Sequence, residues 1–184
     1  MLVTLLKYKF AVSLVFGSFV LLLLLWEYFH GGVISHHLLA SEEMPAISNW
    51  WGLLSIPVLT WITLTRIEAR RKNNSLQAGE FSAQVFRGFM GGLIYGLSLA
   101  MLWEFGQADY MPYVLLLPLG LALFFPIYRM ECLLGFVVAL TYTFGGVLPL
   151  LIAPVLLVGG LLIYKGVRLA VSGFAKKFRS NKSS

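Results

Sequence analysis

With 184 residues, 59% of them apolar and 12% charged, and a mean hydropathy of +0.82, the chain could be soluble only by leaving much apolar surface in water. Its net charge of +6 sits at the ends of apolar runs rather than in a patch interleaved with exposed aromatics. Nucleic acid is therefore excluded as the expected partner, and membrane lipids with anionic headgroups take its place. The single Cys132 excludes an internal disulfide framework and a cysteine-based zinc site within one chain.

A hydrocarbon core of about 30 Å calls for roughly 17–25 helical residues, because every backbone polar group must be satisfied inside the segment. The first run, 10–29, follows Lys7 and Lys9 as a signal peptide would, but it ends in the bulky Trp26-Glu27-Tyr28-Phe29 instead of a small-residue cleavage site. It reads as a retained anchor. The second run, 49–67, opens at Ser48 and Asn49, both good helix caps, and carries Pro57, which should bend it. Residues 68–84 read as a polar linker too short to bury a core. Runs 85–105 and 112–128 supply the third and fourth spans. The stretch 133–168, taken as one helix, would measure ~54 Å at about 1.5 Å per residue, too long for a bilayer. Gly145-Gly146-Val147-Leu148-Pro149 divides it into spans 130–146 and 148–168, ahead of a basic cytoplasmic tail at 172–184.

Charge gives an independent count. With six spans and a cytoplasmic start, all 14 Lys and Arg residues fall on one side, whereas five spans would put the basic tail outside. The expected fold class is an all-α integral membrane protein: a six-span helical bundle with both termini cytoplasmic, in a plasma or bacterial inner membrane. Trp26, Trp50, Trp51 and Trp103 then lie at the outer interface, where indoles prefer to sit.

Gly88, Gly92, Gly96 and Ala100 recur every fourth residue and form a smooth ridge on the third span, suited to close helix packing. Glu104 continues that spacing and is expected to face the bundle interior. At the outer end of the first span, Glu27 and His30 are three apart and share a helical face. The following segment adds His36, His37, Glu42 and Glu43 without a single Lys or Arg, and Asp109 lies on the same side. Imidazole with carboxylate suits zinc, iron, manganese or copper, and three protein ligands with one open position is the usual catalytic zinc arrangement. The spacing itself is weak: there is no H-E-x-x-H motif, and adjacent His36 and His37 in a helix would point about 100° apart.

Other signals have plain structural readings. Glu131 beside Arg129 reads as a local ion pair, Glu42 and Glu43 as solvated, and the hydroxyls of Tyr95, Thr141, Tyr142 and Thr143 as interhelical or backbone donors that could also line a cavity. No phosphate-binding glycine loop, nucleophile elbow or c-type haem motif occurs, and no internal repeat is visible. The functional expectation is a metal-dependent membrane enzyme acting on an amphipathic or lipid-like substrate at the outer leaflet. Glu27, His30 and one of His36 or His37 would hold a divalent metal such as zinc. Glu104 and Glu27 would serve the chemistry, and Trp50, Trp51 and Trp103 would contact substrate. The alternatives are a substrate-binding or transport component, or a non-catalytic accessory subunit of another membrane protein.

Overall fold

The computed structural model describes residues 2–37, 43 and 45–180; for His36, His37, Arg168 and residues 170–180 the backbone alone is described. A short α1 (Leu2–Lys7) leads through Tyr8 into α2 (Lys9–Phe29), followed by a two-stranded hairpin of β1 (Ser35–His37) and β2 (Ala46–Ser48). Then come α3 (Gly52–Lys72), α4 (Ala78–Glu104), α5 (Met111–Leu121), α6 (Met130–Phe144) and α7 (Val147–Ser180). The described residues are all-helical apart from that hairpin and the connecting turns. Among the described residues, Lys9–Phe29, Ala78–Glu104 and Val147–Val167 are each long and apolar enough to cross a membrane, and Ala108–Leu121 and Met130–Phe144 are shorter apolar helices.

Three local expectations change. The polar linker is mostly helix, since α3 runs on to Lys72 and α4 begins at Ala78, leaving only 73–77 between them. The fourth span ends at Leu121 rather than 128, and residues 122–127 form hydrogen-bonded turns. Pro126 explains the early end: the residue before a proline is pushed out of helical geometry, and Gly120 adds freedom one turn earlier. The segment after α2 carries a hairpin rather than plain loop, with Ser35 opposite Ser48, His36 opposite Ile47 and His37 opposite Ala46. By contrast, the division at Gly145 is as expected, since α6 stops at Phe144 and Gly145 takes a φ of +69°, a left-handed conformation that favours glycine.

α4 and α6 form the centre. A Cβ on Gly92 would run into the Cys132 carbonyl, and one on Gly96 would meet Phe136 and Ala139. The approach is reciprocal, because a Cβ on Gly135 of α6 would overlap the backbone of Phe89 and Leu93. The ridge predicted on the third span is thus an interface in which both helices contribute glycine. Val20, Leu24, Ile56, Leu99 and Phe136 fill the surrounding core.

α3 packs beside α2. The Pro57 ring rests against Gly17, and the Lys9 ammonium donates to Glu68 at 2.7 Å. That ammonium, helped by Lys72, holds the Glu68 carboxyl below the ordinary carboxylate range. On the other flank, Pro118 deprives the Val114 carbonyl of its helical donor, and the Tyr95 hydroxyl of α4 supplies one at 3.1 Å.

The glycine interface sets a clear expectation. Gly92→Ala must push α4 and α6 apart and should cost about 1–3 kcal/mol, the range for overpacking. Gly91→Ala, whose Cβ would meet nothing, should leave the thermal midpoint of detergent-purified protein close to wild type. Equal midpoints for the two variants would remove α4–α6 as the central contact.

Candidate functional site

At one end of the bundle the chain converges on Glu27. The backbone N–H groups of His30 and Gly32 both close on the Glu27 carbonyl, and Gly31 and Gly32 adopt φ values of 128° and 104° that turn the chain back on itself. The Ile34 N–H then donates to Glu27 Oε2 at 3.1 Å. Asn49 completes the cluster: its N–H donates to the Ile34 carbonyl, and its Nδ2 donates to Glu27 Oε1 at 3.0 Å and Oε2 at 3.2 Å. Asn49 is buried because Gly145 leaves room for its carboxamide; a Cβ at that glycine would overlap it. One half-buried carboxylate therefore ties α2, the hairpin, the start of α3 and the α6–α7 turn.

The other predicted site residues are placed as follows. His30 is exposed, its ring stacked on Trp26 at 3.8 Å, with Nδ1 at 2.8 Å from the Trp26 carbonyl. A carbonyl only accepts, so Nδ1 is the donor in that contact, and Nε2 has no partner among the described residues. Glu104 does not face the interior but is exposed, contrary to expectation. Each four-residue step along a helix overshoots a full turn by about 40°, so four steps from Gly88 swing the direction by roughly 160°. Trp103 is exposed with its ring edge on Phe144, and Trp50 and Trp51 are exposed as well. Trp51 lines a shallow apolar groove with Leu54, Val58 and Leu150. Asp109 and Glu43 are exposed, Glu42 lies outside the described residues, and so do the side chains of His36 and His37. Among the described residues, no three His, Cys, Asp or Glu side chains come together in a way that could hold a metal ion.

The opposite end holds an ion pair that local reading misassigns. Glu131 does not pair with Arg129. It is 1% exposed and accepts from Arg70 of α3, at 2.7 Å from Nη2 and 3.2 Å from Nη1. The guanidinium also lies 5.3 Å from the Phe81 ring of α4, so α3, α4 and α6 meet there. Gly88 lets Glu131 in: a Cβ at that position would stand 2.8 Å from Glu131 Cγ.

Next to this pair opens a cavity of about 510 Å³ between α4, α5, α6 and α7. It exists because α5 stops at Leu121, and its wall is apolar along Gly91, Pro118, Phe136 and Leu157. Arg87, Arg129 and Gln84 lie at one end of it. The Gln84 side-chain oxygen is buried without a hydrogen-bond partner among the described residues. Composition gives no hint of this cavity, since its polar end joins Gln84 and Arg87 of α4 to Arg129 just ahead of α6; Pro126 is the one available signal that α5 ends early.

No protein-family model, no curated protein and no solved structure matches the chain.

The ion pair gives the second expectation. Arg70→Ala strands a buried carboxylate and should cost about 3–5 kcal/mol in thermal or denaturant unfolding, whereas the double variant Arg70→Met, Glu131→Leu should lie much closer to wild type. A double variant as unstable as Arg70→Ala would mean that the pair is needed for more than mutual neutralisation.

Proposed function

We propose that this chain is a six-span protein of a plasma or bacterial inner membrane, with both termini cytoplasmic, that binds an amphiphilic ligand rather than transforming it. The cavity between α4, α5, α6 and α7 carries this reading. At about 510 Å³ it falls within the range of small-molecule sites, and like them it has mostly apolar walls with a few polar groups gathered at one end. The helix ends support the topology. Glu27, Asn49 and Gly145 meet at one end of the bundle, while Arg70, Phe81 and Glu131 meet at the other, as successive antiparallel helices require. The basic residues favour the Arg70 end as cytoplasmic. In that setting the cavity opens on the cytoplasmic half of the membrane.

A second reading, the metal-dependent enzyme at the outer face, draws support from one observation. The strand bearing His36 and His37 begins next to Ile34, whose N–H is held by Glu27, and His30 keeps Nε2 free one turn away.

Native mass spectra of the detergent-released protein separate the two. Wild type should retain an amphiphile of lipid mass. Gly91→Phe should lose it with no change in fold, because its Cβ points into open space at the cavity wall. A stoichiometric divalent metal adduct that disappears in His30→Ala would instead favour the outer site, and an equally occupied Gly91→Phe would end the cavity reading. For topology, a reporter fused after Ser184 should register as cytoplasmic and one inserted at 38–42 as external. An external tail would reverse the assignment of the cavity to the inner leaflet.

A further inference from the structure

We propose that the cavity is a site for one anionic glycerophospholipid of the cytoplasmic leaflet, with its phosphate between Arg129 and Arg87 and an acyl chain along the apolar wall toward Tyr95. The inference rests on the amphiphile-binding reading and names the headgroup that reading leaves open.

The polar end of the cavity has the groups an anion needs, and no carboxylate among the described residues forms an ion pair with them. Arg129 is half-buried, yet among the described residues its guanidinium makes no hydrogen bond or ion pair. The carboxylate two residues away does not pair with it, because Glu131 is turned to Arg70, from which both its oxygens accept. Arg87 uses only Nε, which donates to the Ala83 carbonyl at 3.2 Å, so its two terminal nitrogens remain available. Arg129 also stands at the start of α6, where no side chain caps the first N–H groups, and the helix adds its own positive potential there. Two guanidinium forks facing one space match a phosphate better than a lone carboxylate, since each fork can grip two oxygens. Gln84 adds an orphan acceptor, which a headgroup hydroxyl or ammonium could satisfy.

Length selects a lipid over the other occupants. Along α4 the cavity runs from Gln84 to Tyr95, ~16 Å at about 1.5 Å per residue, roughly half of a 30 Å hydrocarbon core. A partner transmembrane helix would need a groove of the full thickness. A free phosphate ion would leave the long apolar wall empty. A phospholipid of one leaflet fills both parts, with its head at the arginines and a tail reaching the level where α5 closes the cavity beneath Pro118.

The test places the full-length protein in mixed micelles with equimolar dioleoyl phosphatidylglycerol and dioleoyl phosphatidylcholine and reads the retained lipid by native mass spectrometry. Wild type should keep one phosphatidylglycerol with a preference of roughly tenfold or more, as expected for charge-assisted hydrogen bonds. Arg129→Gln and Arg87→Gln should each bring the ratio toward unity. Arg66→Gln removes the same charge from an exposed position outside the cavity and should keep the preference. Arg129→Lys, which preserves the charge but not the fork, should lower the preference partway and serves as the readout if the glutamine variant fails to fold. Added inorganic phosphate should not displace the lipid. A wild type that does not discriminate, an Arg66→Gln variant as impaired as Arg129→Gln, or displacement by inorganic phosphate would each overturn the inference. If Gly91→Phe expels lipid while the arginine variants keep wild-type selectivity, amphiphile binding stands and the headgroup assignment falls. If Gly91→Phe expels nothing, both fall.

Discussion

The α4–α6 contact is the constraint on which the other placements depend. Glycines from both helices remove the side chains that would hold the two backbones apart, so carbonyls of one helix lie directly against the Cα atoms of the other. In an apolar solvent this matters more than in water, because lipid solvates leucine as well as protein does and close van der Waals packing must drive association. With α6 held so close, its first turn brings Glu131 past Gly88 to Arg70, and its last turn brings Gly145 against Asn49. The two polar clusters are thus consequences of one apolar seam.

Those clusters are opposite solutions to the same problem. At the Arg70 end a full carboxylate is removed from solvent and met by a full cation in a two-point grip, an arrangement that contributes little net stability but penalises any packing that separates the partners. At the Glu27 end the carboxylate is half-buried and met by neutral donors, the Asn49 amide and a backbone N–H. The first fixes which helices are neighbours; the second fixes how the β1–β2 hairpin sits on them.

Much of the fold was legible because it is local. Run length marked six helical segments, Gly145 marked the break between the last two, and the four-residue glycine spacing marked the packing face of α4. The site was legible only in part. The carboxylate of Glu27 stands out at the end of an apolar run, but nothing local links it to Asn49, 22 residues away, whose own setting marks only a helix cap. Local sequence matches Glu131 with its neighbour Arg129, although the actual partner is 61 residues distant and nothing in either local pattern encodes that pairing. Extending a spacing of four along a helix of 3.6 residues per turn points Glu104 inward, an error that grows with every step. The cavity depends on where α5 stops, and the apolar run continues past that point to Tyr128 with Pro126 inside it.

The shortness of α5 has a consequence for the surrounding solvent. At the level of Tyr95 the bundle includes α5, whereas at the level of Gly88 that helix has given way to the turns at 122–127, which leave Phe124 and Phe125 76% and 61% uncovered by protein. In a bilayer the two monolayers would then meet protein cross-sections of unequal area. The monolayer on the Gly88 side must fill the difference with its own hydrocarbon, so that leaflet composition and lateral pressure would bear on this protein more strongly from one side than from the other.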